Sequence, residues 1–193
     1  MQASTLTEVK KHLRRGRVYR REDFTSWSAS VDRHLKALVK SGNLKKLRHG
    51  LYHYPKKFAF GEAPASEREL LQAFLRTNRF LVISPNLYNL LGLGTTQLYD
   101  KRVVYNHKRH GTLDLGGQIF CFERRTNFPR KLTKEFLLVD LVNELDQLAE
   151  DRGAVAARVA EAARQMDPRK LSRAVQFYAN RFSQQSWKAM GYA

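Results

Sequence analysis

Cysteine is nearly absent from this 193-residue sequence: Cys121 stands alone. A single thiol excludes an internal disulfide framework and suits a reducing compartment, so a cytoplasmic location is expected. Runs of about 18 apolar residues are missing, which excludes a conventional membrane-spanning helix. The opening MQASTLTEVKKHLRRG lacks the apolar core of a secretory leader. There is no internal repeat and no low-complexity tract. Acid is scarce: 18 Asp and Glu face 35 Lys and Arg, a formal net charge of +17. Such an excess points to a polyanionic partner, nucleic acid before an acidic membrane surface. At 42% hydrophobic residues the chain can still build true cores and is not a disordered basic tail. Its length suits one large domain or two small ones.

The charge is concentrated. Residues 1–57 carry 15 Lys and Arg against 4 Asp and Glu, and residues 58–193 carry 20 against 14. The basic third also has the clearest local pattern, ASVDRHLKALVKSGNLKKLRHGLYHYP at residues 29–55. Val31, Leu35, Leu38 and Val39 share one helical face, and Arg33 and Lys40 point the opposite way. Gly42 closes this helix, since glycine tolerates the left-handed backbone of a C-terminal cap. Leu44–Leu47 and Leu51–Tyr54 then pair as a hairpin around Arg48-His49-Gly50. Upstream, Thr5–Leu13 reads as a helix capped by Ser4 or Thr7, with Leu6, Val9 and Leu13 on one face. Arg17–Tyr19 is extended, Arg20–Phe24 forms one short helical segment, and Trp27 plugs a turn. This order predicts a winged helix-turn-helix, whose second helix enters the DNA major groove while the wing touches phosphates or the next groove.

The expected DNA-binding set is Ser28 and Ser30 at the helix start, Arg33, Lys36 and Lys40 along it, and Lys45, Lys46, Arg48 and His49 on the wing. Serine at a helix start caps free N–H groups. Arg33 has the forked donors that match guanine O6 and N7. The lysines suit phosphates, which supply affinity without sequence information.

Residues 58–65 are expected to link this domain, residues 1–57, to a second domain over 66–193. The second domain reads as α+β with a helical end, which makes the whole chain α+β. Ser66 and Glu69 form a predicted capping box. A buried strand is expected at Phe80–Ile83 and a proline-initiated helix from Pro85, ended by Gly92 and Gly94. Three strands follow, the last two joined by Gly116-Gly117. A long helix is predicted over Leu132–Glu150, then helices over Ala154–Met166 and Pro168–Phe182, the last capped by Asp167. Arg158, Arg164, Arg169, Arg173 and Arg181 would give these C-terminal helices a basic face.

No cofactor and no metal is expected. The histidines lack ligand spacing, with His107 and His110 in a basic loop lacking carboxylates or cysteine. No phosphate-binding GxxxxGK[ST] motif occurs. Asp114 and Glu123 on neighbouring strands are the one nuclease-like pair, but arginines follow Glu123 where such sites place a lysine. The chain is therefore read as a binding protein and not an enzyme.

Two stretches carry a family resemblance. Leu44, Leu47, Gly50, Tyr52 and Pro55 in HLKALVKSGNLKKLRHGLYHYPKK, followed by FLVISPNLYNLLGLG at 80–94, resemble the AbiEi-type antitoxins of type IV, abortive-infection toxin–antitoxin systems. The resemblance covers roughly residues 15–125 and omits the C-terminal helices. It implies an autorepressor that binds inverted repeats in its own promoter, and an antitoxin that counters a nucleotidyltransferase-like toxin, directly or indirectly. The rival readings are a mobile-element regulator without a toxin partner and a metal-dependent nuclease using Asp114 and Glu123.

Overall fold

The computed structural model describes residues 5–93, 102–147 and 152–192. Within these, helices alternate with three small sheets, a mixed architecture compatible with the α+β class. The chain divides into two units, Met1–Asn78 with Asp114–Ile119, and Arg79–Leu113 with Phe120–Ala193. The division thus falls at Asn78/Arg79, later than the expected linker at 58–65. Ser4, Gly94 and the 148–150 end of the predicted long helix lie outside the described residues.

In the first unit, α1 (Leu6–Lys11) starts at Thr5, whose hydroxyl accepts from the Glu8 N–H while the Glu8 carboxylate accepts from the Thr5 N–H. The cap is therefore Thr5 rather than Ser4 or Thr7, because Thr5 has its carboxylate partner three residues on. β1 (Val18–Arg20) leads into a 3-10 turn at Arg21–Phe24. α2 (Val31–Lys40) follows, then β2 (Lys45–Arg48) and β3 (Leu51–His53). These strands form an antiparallel sheet in the order β1-β3-β2. Val9, Tyr19, Phe24, Leu35, Leu38 and Leu44 form one cluster of the unit's core, and Leu51, Leu70, Leu71 and Leu75 are buried besides. Trp27 stacks on His12 at 5.0 Å and meets Phe24 edge-on at 5.4 Å.

The supposed linker is structured. β4 (Lys57–Phe58) and β5 (Gly61–Glu62) pair as a ribbon. α3 (Glu67–Leu75) follows, capped by Ser66. The capping box is only half made: the Ser66 hydroxyl accepts from the Glu69 N–H, but the Glu69 carboxylate pairs with Arg17 at 3.1 Å.

In the second unit, β6 (Phe80–Ile83) precedes a 3-10 helix at Pro85–Leu91, capped by Ser84. β7 (Val103–Asn106), β8 (Gly111–Asp114) and β9 (Ile119–Arg124) complete a sheet in the order β6-β7-β9-β8. β7 runs antiparallel to β6 and parallel to β9. Gly116 and Gly117, at φ +67 and +86, make the predicted two-residue turn. That hairpin tip groups with the first unit.

α4 (Lys134–Asn143) is shorter than the predicted Leu132–Glu150 helix, and every residue from Phe136 to Val142 is buried. A helix apolar on all sides must be enclosed on all sides. It sits among α5 (Arg152–Arg164), α6 (Pro168–Tyr178) and the 3-10 helix. The predicted Pro168–Phe182 helix stops short at Tyr178, and after a break a separate helix that was not predicted, α7, runs Ser183–Ala189. Asn143 causes the break: its side chain donates to the Tyr178 carbonyl at 2.9 Å and accepts from the Asn180 N–H at 2.9 Å and the Ser183 hydroxyl at 2.6 Å. No helix among the described residues is long and apolar enough to cross a membrane.

The one acid on the buried face of α4 is Asp140, which accepts from the Tyr88 and Tyr105 hydroxyls, each at 2.9 Å. Burial pushes its carboxyl up to about 6 from an ordinary 3.8, against the pull of both tyrosines. Between these values the folded chain holds a proton that the unfolded chain has released. Stability therefore falls as pH rises through that window, by up to about 3 kcal/mol. Asp140→Asn is expected to flatten this part of the urea-midpoint profile, while Asp140→Ala, which orphans two buried hydroxyls, should destabilise at every pH. An unchanged slope in Asp140→Asn would show that the carboxyl is already ionised.

Candidate nucleic-acid interface

α2 is fixed by what it buries. Leu35 and Leu38 lie in the core at 2% and 0% exposure. His34 is buried beside them, its Nδ1 within 2.7 Å of the Ser28 hydroxyl. Ser28 also accepts from the Ser30 N–H at 3.1 Å. Both serines therefore depart from their expected roles. Ser28 turns inward to satisfy His34, and Ser30 occupies the N-cap position without a side-chain cap bond. The periodicity of α2 marked its apolar face but could not show that a histidine on that face would need a hydroxyl.

Arg33, Lys36 and Lys40 remain on the exposed side and form no ion pair among the described residues. The only acid on this helix, Asp32, is clamped by Arg21, whose Nε and Nη2 donate to its two oxygens at 2.7 Å each. That bond, with a smaller contribution from the charge of His49, holds the carboxyl below its ordinary range. Arg21 also donates its backbone N–H to the Gly50 carbonyl at 3.0 Å. One residue thus neutralises the start of α2 and fastens the tip of the β2–β3 hairpin next to it. Sequence reasoning missed Arg21, because it lies in the connecting 3-10 turn.

The hairpin carries Lys46, Arg48 and His49 exposed. A bulge between Lys46 and Arg48 shifts the register, and Gly50 turns the chain at φ +70. Lys45 does not join this free set. Its ammonium pairs with Glu62 of β5 at 2.9 Å, so its charge is already met. The end of α1 adds Lys10, Lys11 and Arg14, exposed cations outside the predicted set. The arrangement has the chemistry of a phosphate-binding surface: free ammonium and guanidinium groups on rigid elements, with the local acids already paired.

The arginines predicted as a C-terminal basic face behave unequally. Arg158 is half-buried and donates to the Leu93 carbonyl, so it anchors α5 and does not belong to an open face. Arg164 pairs with Glu161 on its own helix at 2.5 Å. Arg169 and Arg173 line a groove of about 830 Å³ with Phe177, Gln184 and Lys188. Arg181 is exposed in the segment between α6 and α7.

The two acids of the nuclease reading have ordinary structural work. Asp114 accepts from the Gly117 N–H at 2.7 Å and closes the glycine turn. Glu123 pairs with Arg125 at 2.9 Å, and the same guanidinium reaches Glu144. Among the described residues no group of three His, Cys, Asp or Glu could hold a metal ion.

Residues 5–149, well over half of the chain, match the family described as Family of unknown function (DUF6088). The match stops short of α5 and the helices after it. None of the curated proteins matches the sequence.

Proposed function

We propose that this chain, which belongs to the DUF6088 family, is a DNA-binding transcriptional autorepressor whose first unit acts as a winged helix-turn-helix. The observation that carries the reading is the joint placement of α2 and the β2–β3 hairpin. Arg33, Lys36, Lys40, Lys46 and Arg48 are exposed and without ion pairs among the described residues, while Arg21 silences Asp32 between them. In such a fold α2 would lie in the major groove, with Arg33 near its start reaching base edges and the hairpin meeting phosphates. Lys36, Lys40 and Lys46 would supply affinity through released counterions.

The second role proposed is that of an antitoxin against a nucleotidyltransferase-like toxin. It rests on the AbiEi-like sequence pattern and on a second unit with its own core, which DNA binding does not require. Within that unit the groove at Arg169, Arg173 and Lys188 is the candidate face. Rescue from a neighbouring toxin by the full chain, lost in the Arg169→Ala/Arg173→Ala variant with DNA binding intact, is the expected result. Rescue that tracks DNA binding alone would remove the antitoxin role.

Salt dependence tests the DNA reading directly. With four or five phosphates neutralised, log K for a labelled duplex is expected to fall against log salt with a slope of about −4. Anisotropy titrations at several ionic strengths measure it, and a nearly flat response would remove DNA as the partner.

A further inference from the structure

The β4–β5 ribbon breaks the usual rules of a turn. Phe58 pairs with Gly61, which leaves Ala59 and Phe60 as a two-residue loop at the tip. Short loops favour Gly, Asn and Asp, whose backbones or side chains suit the turn. Here the tip position holds a phenylalanine at 105% exposure, and Phe58 beside it is 63% exposed. Gly61, at φ +122, takes the strained position that lets the chain reverse behind the phenylalanine. Neither aromatic ring contributes to the core of the first unit. Folding does not account for them.

The base of the ribbon is anchored. Ala63 donates its N–H to the Lys56 carbonyl at 2.9 Å. Glu62 holds Lys45 of β2 at 2.9 Å and Lys57 at 3.8 Å, tying the ribbon to the same sheet that carries the basic hairpin. The Lys56 side chain lies over Gly16, where a Cβ would come within 2.8 Å of it. Glu62 is the one acid in residues 55–62, and its pairing with Lys45 and Lys57 leaves the Lys56 ammonium without an ion pair among the described residues. The result is a fixed protrusion with two bare aromatic rings at its end and cations at its foot, beside a basic surface.

We propose that the β4–β5 ribbon is a second DNA-contacting element, in which Phe60, supported by Phe58, wedges against base pairs from the minor groove while Lys56 meets a flanking phosphate. This rests on the DNA-binding reading of the first unit. Apolar wedges of this kind unstack a base step and bend the duplex, and the strongly negative minor groove complements a lysine-flanked aromatic tip. Charge selects DNA over a second copy of the chain, since a +17 molecule repels its copy.

The test uses the full chain and a duplex that it selects from a randomised pool, with 2-aminopurine placed at successive steps and dyes at both ends. Binding of the wild type should brighten 2-aminopurine at one step and shorten the end-to-end distance. Phe60→Ala should abolish both signals and weaken binding roughly tenfold, while Phe60→Trp should retain them. Because Phe60 is wholly exposed, its replacement leaves the fold intact. Brightening that persists in Phe60→Ala, or its absence from a tightly bound wild-type complex, overturns the wedge and leaves DNA binding standing. Failure to select any duplex overturns the reading of the first unit and the wedge with it. A wild-type dimer that Phe60→Ala converts to a monomer, with both signals unchanged, makes the ribbon a contact between copies and overturns the proposal.

Discussion

The Arg33→Glu/Lys36→Glu variant is expected to bind DNA at least a hundredfold more weakly than the wild type at low salt. Both side chains are exposed on α2 and unpaired among the described residues, so their loss leaves the core untouched. Two favourable charges become two repulsive ones against phosphates, and like-charge juxtaposition costs several kcal/mol. Single substitutions should separate the two kinds of contact. Arg33→Ala is expected to cost about 1–3 kcal/mol on the preferred sequence and to relax discrimination. Lys46→Ala should weaken every sequence alike and reduce the salt slope by about 1. Arg21→Ala offers a sharper check on the geometry. It leaves Asp32 uncompensated at the start of α2 while the Arg21 backbone N–H still holds the Gly50 carbonyl, so it should lower affinity although Arg21 is assigned no contact with DNA. The measurements are anisotropy titrations on preferred and random duplexes. Identical losses for Arg33→Ala and Lys46→Ala on both would mean that α2 does not read bases.

Trp187→Ala is expected to destabilise the second unit by about 3–5 kcal/mol. Trp187 is 0% exposed on α7 and meets Tyr192 edge-on at 6.1 Å. Truncation removes the largest fully buried side chain and leaves a cavity that the surrounding helices cannot fill. Trp187→Phe should cost far less, because the indole N–H has no acceptor among the described residues and its removal relieves a buried orphan donor. The chain has two tryptophans, Trp27 and Trp187, one in each unit. In Trp187→Ala emission comes from Trp27 alone and follows the first unit, while far-ultraviolet circular dichroism reports the helices of both units, with α4–α7 of the second the larger share. In urea titrations of Trp187→Ala the dichroism midpoint should fall strongly from that of the wild type and lie below the variant's own Trp27 emission midpoint. A shift in dichroism below about 1 kcal/mol would show that α7 does not pack as described.

How much of this was legible depends on the range over which each feature is decided. The helix at Val31–Lys40, its end at Gly42, the hairpin after it and the strand at Phe80–Ile83 were all readable, since each rests on spacing within a few residues. So were the Gly116-Gly117 turn and the Asp167 cap with Pro168 at the first helical position. These are choices of local backbone geometry and apolar period, and neighbouring side chains settle them. What the tertiary structure decided is where each polar side chain spends its hydrogen bonds. Ser28 goes to His34, Lys45 to Glu62, Glu69 to Arg17, Asp32 to Arg21, and Arg158 to the Leu93 carbonyl. The break between α6 and α7 belongs with these, because Asn143 imposes it from another helix. By itself the sequence determined that a basic, helix-and-hairpin head exists and which faces are apolar. Only folding decided which of its charges remain unpaired, because a charge is free or spent according to partners that lie far along the chain.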